Sequence, residues 1–151
     1  MADAATDAAD AAETPGGVLV RIVEAPIDRA ELEAFARTDA DGAVVVFEGV
    51  IRDHDHGSGV LALDYRAHPD AERFLAEVCA DVAASSGLRV AAVHRVGRLV
   101  VGDVALVAVV AAAHRAEAFA ECARLVDEIK SRVPIWKRQH LADGATEWVG
   151  L

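Results

Sequence analysis

Five basic side chains and no acidic one occur in the segment KSRVPIWKRQH, residues 130–140. They stand out because the whole chain carries a net charge of −10. Pro134 places a turn inside the segment, so Lys130 and Lys137 can approach each other. Two neighbouring ammonium groups lower each other's pKa, and one lysine then becomes able to act as a base or nucleophile. The same pair can also bind an anionic substrate.

A structural explanation covers part of this basic cluster. Basic residues near the C-terminus of a helix interact favourably with the helix dipole. This accounts for Lys130 and Arg132 at the end of a predicted helix. It does not account for Lys137 and Arg138, which lie beyond Pro134. From these residues alone, an anion-binding site and a solvated helix end both remain open.

Two further basic positions are candidates for anion binding. His114 and Arg115 follow a predicted buried strand and begin a predicted helix, where free backbone N–H groups favour phosphate. The helix dipole favours acids at a helix start, and an arginine departs from that rule. Arg52 begins the polar loop RDHDHGSG (52–59), from which it can reach an anion. The alternative is that all three are ordinary surface residues.

The same loop contains Asp53, His54, Asp55 and His56, which resemble a metal-binding cluster. A local His-x-His with aspartates and no further ligands elsewhere is a weak metal signal, so a solvated loop is favoured and no metal is predicted. The sequence has no phosphate-binding loop, GxGxxG or GxSxG motif. Cys79 and Cys122 form no CxxC pair and are typical of small buried thiols in a reducing cytoplasm.

The elements that must position these residues are predicted from apolar periodicity and turn residues. Helices are predicted over 28–37, 70–86 and 116–133, with Asp28 and Gly87 as caps and Pro134 as a stop. Strands are predicted over 18–23, 43–51, 60–66, 88–96, 104–113 and 135–139, with a last edge contact at 148–149. Neighbouring strands that pair and two long packed helices indicate a single α+β domain.

Four local expectations follow from the same patterns. The strands over 43–51 and 60–66 are expected to pair as one long hairpin around the polar loop. The segment 97–103, with two glycines, is expected to be a turn. Alternation places Leu61, Leu63 and Tyr65 on one strand face. Helical spacing places Phe119 on the inner side of the last helix.

Composition excludes several classes of function. A chain of 151 residues with 54% hydrophobic content is suited to one folded domain. Net negative charge opposes binding to nucleic acid or to an anionic membrane surface. Residues 1–17, rich in Ala and Asp, are predicted to be a disordered tail without the features of a signal peptide, and residues 18–151 the domain. The longest apolar run, 104–113, is half the length of about twenty residues that a bilayer requires.

Four segments together resemble the catalytic, or large, subunit of molybdopterin synthase: GAVVVFEGVIRDHDHG (42–57), VHRVGRLVVGD (93–103), AHRAEAF (113–119) and IKSRVPIWKRQ (129–139). They occur in the family's order and cover about residues 18–149. The resemblance implies an α/β-hammerhead-like fold with an additional antiparallel β-sheet. It also implies a homodimer flanked by two small subunits, a heterotetramer in which each active site draws residues from both large subunits.

The reaction that the resemblance implies is a sulfur transfer in molybdenum cofactor biosynthesis. A ubiquitin-like small subunit carries a thiocarboxylate on its C-terminal Gly-Gly and inserts this tail into the large subunit. Sulfur passes to cyclic pyranopterin monophosphate and forms the dithiolene of molybdopterin. The large subunit needs no cofactor and no catalytic cysteine for this step. The alternative is a non-catalytic module that binds a phosphorylated metabolite in the same basic pocket.

The resemblance assigns roles to individual residues. Lys130 matches a lysine expected to carry out acid–base work, and Lys137 one that holds the substrate or the thiocarboxylate. Arg52, His114 and Arg115 match positions that bind the substrate phosphate and pterin, with Arg138 beside them. Two positions depart from the family pattern. Val50 replaces a basic residue that many members have, and Gln139 replaces an acid.

Overall fold

The structure, a computed structural model, describes residues 17–150, so all but the last residue of the predicted tail over 1–17 lies outside the described residues. Residues 17–150 form two sheets and three helices. The helices are α1 (Arg29–Ala36), α2 (Ala71–Ser86) and α3 (Arg115–Arg132). The strands are β1 (Val18–Val23), β2 (Ala43–Val50), β3 (His54–Asp55), β4 (Ser58–Ala67), β5 (Val90–Arg95), β6 (Gly97–Val100), β7 (Val104–Ala112), β8 (Ile135–Leu141) and β9 (Thr146–Gly150). The predicted α+β fold with an additional antiparallel sheet is confirmed.

The first sheet is covered by helices on both faces. Its strand order is β1-β5-β7-β2, with β1 and β5 parallel and the other pairs antiparallel. Residues of α1 pack on one face, and residues of α2 and α3 pack on the other. A strand that is buried on both faces does not alternate apolar and polar residues. This explains why β7 is a continuous run of valine, alanine and leucine.

The second sheet is antiparallel and centred on β4. Strand β8 pairs with one edge of β4 and continues to β9, whereas β6 and the two-residue β3 also pair with β4. Strand β8 follows α3 directly, because Val133 and Pro134 end the helix and redirect the chain. The backbone N–H of His68 donates to the carbonyl of Pro134 at 3.0 Å and fixes this redirection. The second sheet thus meets the end of α3.

Two of the helix ends lie where the sequence predicts them. The side chain of Asp28 accepts a hydrogen bond from the backbone N–H of Glu31 at 3.4 Å and caps α1. Gly87 ends α2 with φ of 74°, a left-handed conformation that glycine adopts without steric cost. None of the helices formed by residues 17–150 has the length and apolar character needed to cross a bilayer.

The predicted hairpin over 43–66 is wrong. Strand β2 pairs with β7 in the first sheet, and β4 belongs to the second sheet. The apolar run of β2 is partly covered by joining the helix-covered sheet as its edge strand, whereas the loop that follows is polar and crosses to the other sheet. The predicted turn over 97–103 is also too long, because 97–100 form β6 and only 101–103 turn. Leu99 is fully buried and makes β6 part of the core.

Two side-chain orientations differ from the predicted pattern. Leu61 is 62% exposed, whereas Leu63 and Tyr65 are buried. The pairing of β4 with β8 shifts register between Val60 and Ala62, and such a bulge turns one residue out of the alternation. Phe119 is 60% exposed and lies beside β2, because β2 is the edge strand and nothing among the described residues covers that side of α3.

Leu99→Ala tests whether β6 is a core strand rather than a turn. The fully buried leucine side chain would leave a cavity, and we expect the free energy of unfolding to fall by about 2–5 kcal/mol. Val100→Ala, at the neighbouring half-exposed position, is the matched control and should cost less than about 1 kcal/mol. Urea unfolding measures both. Equal, small losses would contradict the packing of β6.

Candidate functional site

A pocket of about 70 Å³ opens where β2 ends and the polar loop begins. Arg52 and Asp55 line it from the loop side, and Lys137 and Gln139 line it from β8. Tyr65 on β4 forms part of its floor. Both sheets therefore contribute to the pocket, and its polar groups come from parts of the chain that are distant in sequence.

Lys137 is the half-buried cation of this pocket. It lies on β8 directly opposite Tyr65 of β4, on the strand face that also carries Gln139. Burial lowers the pKa of Lys137, because a charged ammonium loses water contacts. The positive charges of Lys130 and Arg52 lower this pKa further, and the carboxylate of Asp55 opposes them. The turn at Pro134 therefore brings Lys130 and Lys137 within electrostatic reach of each other.

Lys130 lies in the last turn of α3 and is exposed. Its charge also contributes to lowering the pKa of His94, which places it near the end of β5. An exposed ammonium at a helix end contributes little to the core. Lys130 is thus free to contact a ligand bound over the pocket.

Arg52 and Gln139 converge on Asp55. A guanidinium N–H of Arg52 donates to Oδ1 of Asp55 at 3.1 Å, and Nε2 of Gln139 donates to Oδ2 at 2.9 Å. The hydrogen bond from Gln139 is the main cause that lowers the pKa of Asp55. Asp55 is therefore a carboxylate held between a cation and an amide, with 12% of its side chain exposed.

His94 lies beneath the site as a buried neutral ring. It is 2% exposed, and its Nδ1–H donates to the carbonyl of Arg95 at 2.8 Å. The Tyr65 ring meets it edge to face, with centroids 5.0 Å apart. Burial lowers the pKa of His94 to about 4, and burial raises the pKa of Tyr65 to about 12. Both rings are therefore uncharged at neutral pH.

Arg138 lies on the opposite face of β8 from Lys137. Its guanidinium donates to Thr146 at 3.4 Å and lies 5.9 Å from the centroid of the Trp148 ring on β9. Its Nε is buried without a hydrogen-bond partner among residues 17–150. Adjacent residues of a strand point to opposite faces. The structure therefore does not bring Arg138 into the pocket beside Lys137.

His114 and Arg115 lie at the far end of the same elements. Strand β7 starts beside Val50 at the pocket and runs to Ala112, a length of roughly 27 Å at the usual rise per residue. Helix α3 then returns from Arg115 to Lys130 over roughly 22 Å. No side chain spans such a distance. Within one chain, the structure therefore separates the pair from Arg52, Lys130 and Lys137.

The histidines of the polar loop do not assemble a ligand set. Nδ1 of His54 lies 2.7 Å from Asp53, and His56 lies 3.7 Å from Asp55 with its side chain 90% exposed. Among residues 17–150, no three His, Cys, Asp or Glu side chains are grouped to hold a metal ion. The interpretation of this loop as a metal site gains no support from the geometry.

Sequence reasoning missed the roles of Asp55, Gln139 and His94. The sequence marks Asp55 only as a possible metal ligand, and Gln139 only as a departure from the pattern of a resembling family. The two residues are 84 positions apart, and no local signal links them. His94 had a weak signal, because a histidine within an apolar strand is a buried polar group that needs a partner.

Comparison with protein families identifies relatives over most of the chain. The sequence model described as "MoaE protein" matches residues 22–132. The molybdopterin synthase catalytic subunit of Nostoc sp. is 38% identical over 133 residues, which are 86% of this chain and 81% of the relative.

Solved structures share the fold. The molybdopterin synthase of Staphylococcus aureus has a TM-score of 0.81 and 33% sequence identity, and the match covers 87% of this chain and 97% of that one. The complex of subunits 1 and 2 of the molybdopterin-converting factor from Helicobacter pylori matches with a TM-score of 0.67 and 18% identity over 86% of this chain and 88% of that one. At that identity the second likeness concerns the fold alone.

The buried ring of His94 predicts a loss of stability at acidic pH. Its folded pKa of about 4 lies below the ordinary 6.5, so the unfolded chain binds a proton first as the pH falls. The free energy of unfolding should therefore decrease by up to about 1.4 kcal/mol per pH unit through this window, and stay unaffected by His94 above it.

His94→Asn checks this prediction, because asparagine keeps an N–H donor and does not titrate. Urea unfolding at a series of pH values should show a shallower pH dependence for this variant. His56→Asn, at an exposed histidine, should keep the dependence of the unmodified protein. Parallel pH profiles for His94→Asn and the unmodified protein would contradict a buried neutral ring.

Proposed function

Because the chain belongs to the MoaE family of molybdopterin synthase catalytic subunits, we propose that Lys130 and Lys137 carry out its reaction at a site completed by a second copy of the chain. As a member of this family, the chain is a sulfurtransferase of molybdenum cofactor biosynthesis that works in complex with a small subunit. The alternative of a non-catalytic binding module loses its basis, since both lysines are in place.

The observation that carries the assignment is the convergence of three cations on one pocket of an acidic protein. Arg52 and Lys137 line the pocket, and Lys130 lies close enough to perturb the pKa of Lys137. The remainder of the chain is strongly negative. A pyranopterin monophosphate and a thiocarboxylate are both anions, and the positive charges at this pocket are suited to bind them.

The size of the pocket suits the tail of the proposed partner. A C-terminal Gly-Gly has no side chains, so it can enter a small pocket that a bulkier peptide would not enter. The terminal thiocarboxylate would then lie beside the ammonium of Lys137. A ubiquitin-like small subunit is therefore the partner that we assign to this opening.

The two lysines differ in environment and therefore in role. Lys137 is half-buried, and burial lowers its pKa. A lysine with a lowered pKa gives up and takes up a proton more readily near the pH of catalysis. While protonated, it holds the thiocarboxylate or the substrate phosphate by a charge-assisted hydrogen bond. Lys130 is exposed at the end of α3, and it donates a proton to the oxygen that leaves the substrate carbon when sulfur takes its place.

A second copy of the chain supplies what one chain lacks. His114 and Arg115 lie more than 20 Å along α3 from Lys130 by the usual helical rise. A two-fold dimer that sets the start of α3 of one copy beside the pocket of the other brings both groups to the substrate phosphate and pterin. Two such sites, each with a small subunit, make the heterotetramer that we propose.

Lys130→Ala should abolish turnover without unfolding the protein. The chain, the thiocarboxylated small subunit and cyclic pyranopterin monophosphate are combined, and dithiolene product is measured. Loss of a general acid should lower turnover by at least about 100-fold. The free energy of unfolding should change by less than about 0.5 kcal/mol, since the side chain is exposed.

Arg132→Ala is the matched control, because it removes a positive charge from the same helical turn. Arg132 pairs with Asp81 and Glu128 and faces away from the pocket. It should retain most of the activity. A folded Lys130→Ala variant with full turnover would overturn the role given to Lys130.

Mixed dimers test whether the site is shared between copies. His114→Ala and Lys130→Ala chains are co-expressed with different affinity tags, and the doubly tagged species is isolated. If each site takes Lys130 from one copy and His114 from the other, one of the two sites is intact and about half of the activity returns. A mixed dimer no more active than either parent would place both residues in a single-chain site.

A further inference from the structure

Asp55 is held more firmly than a loop aspartate needs to be. It precedes the two-residue turn formed by His56 and Gly57, whose φ angles of 47° and 81° are both positive. Such a turn matches the twist of the paired strands β3 and β4 and fixes the residues on either side of it. The Asp55 carboxylate then accepts from Arg52 and from Gln139. Its position is set from three directions.

Gln139 is the buried partner in this arrangement. It is 2% exposed, and its amide donates to Asp55 at 2.9 Å. With a carboxylate at 139, two negative groups would be in contact, and one would have to take up a proton. The amide removes this conflict, since it donates to the carboxylate that is already present.

We propose that Asp55 is a positioning residue of the synthase site, and that its carboxylate, held by Arg52 and Gln139, sets the charge around Lys137. Asp55 holds the guanidinium of Arg52 and faces the ammonium of Lys137. Gln139 supplies the neutral half of the pair. The acid and the amide can exchange positions 55 and 139, because the hydrogen bond between them needs only one donor and one acceptor.

The carboxylate of Asp55 acts on the charge of Lys137. The groups that face this lysine are Arg52 from the loop, Asp55 from β3, Tyr65 from β4 and Lys130 from α3, with His54 at the pocket wall. Asp55 is the anion among them that raises the pKa of Lys137. Without it, burial and two positive neighbours would act unopposed. Lys137 would then lose its proton more readily and hold an anion less well.

The inference rests on the proposed function for its kinetic consequences, but its electrostatic part can be measured without turnover. Three variants are compared with the unmodified chain: Asp55→Asn, Gln139→Glu and the double variant Asp55→Asn/Gln139→Glu. The first removes the carboxylate, the second creates two, and the third exchanges acid and amide. The pKa of Lys137 is followed by NMR of its side-chain carbon, and kcat/KM by the reconstituted reaction.

We expect the two single variants to shift the pKa of Lys137 in opposite directions, and the double variant to cancel the two shifts. Asp55→Asn lowers the pKa of Lys137 and reduces kcat/KM by about tenfold, a size usual for contacting residues. Gln139→Glu raises that pKa and also reduces kcat/KM. The double variant returns the pKa to within about half a unit and kcat/KM to within about threefold of the unmodified chain. The limb of the pH–rate profile that belongs to Lys137 moves in the same directions.

Asp53→Asn is the matched control for charge. It removes a carboxylate from the same loop, but the Asp53 side chain is 77% exposed and contacts His54 rather than the pocket. It should leave both the pKa of Lys137 and kcat/KM unchanged. An equal effect of Asp53→Asn would reduce the role of Asp55 to general loop charge and would overturn the inference.

Two other results would overturn it. Asp55→Asn could leave the pKa of Lys137 and kcat/KM unaltered, or the double variant could be as impaired as the two single changes combined. If Asp55→Asn alone fails to fold, the comparison of Gln139→Glu with the double variant still tests the inference. If the unmodified chain makes no product, the proposed function fails, and the NMR titration still decides whether Asp55 and Gln139 set the charge of Lys137.

Discussion

The half-burial of Lys137 beside two other cations is the constraint on which the site depends. An ammonium group loses water contacts in this position and is repelled by Arg52 and Lys130, so its pKa falls. Such an arrangement is costly unless the surrounding fold holds it. Strand β8 is paired on both edges, with β4 and β9, and the carboxylate of Asp55 offsets part of the repulsion. Strand pairing and the carboxylate of Asp55 thus keep the half-buried Lys137 in place.

The helix-covered sheet explains why the remaining candidate residues lie so far away. Strand β7 is apolar throughout, and β5 is apolar from Val90 to Val93, because both of their faces are packed. In this sheet, the candidate site residues therefore lie just beyond the ends of the strands. Arg52 follows one end of this sheet, and His114 and Arg115 lie at the other. A site that needs both groups has to be built from two copies, and the length of α3 sets their separation.

The polar loop and strand β8 together contribute one carboxylate and one amide to the pocket. Asp55 and Gln139 form one hydrogen bond between an acid and an amide. Of this pair, the carboxylate of Asp55 raises the pKa of Lys137. Val50 is half-exposed at the pocket edge. A substitution there changes the rim of the site and leaves the hydrogen-bonded pair intact.

The sequence by itself determined the features that neighbouring residues control. The caps at Asp28 and Gly87, the end of α3 at Pro134, and the approach of Lys130 to Lys137 all follow from interactions within a few positions of the chain. Tertiary structure alone decided the partner of β2, the outward orientation of Leu61 and Phe119, and the pairing of Asp55 with Gln139. Strand pairing and contacts across 84 residues depend on which surfaces must be buried against each other. The local sequence pattern does not predict that choice, because the competing pairings have the same alternation of apolar and polar residues and the same turns.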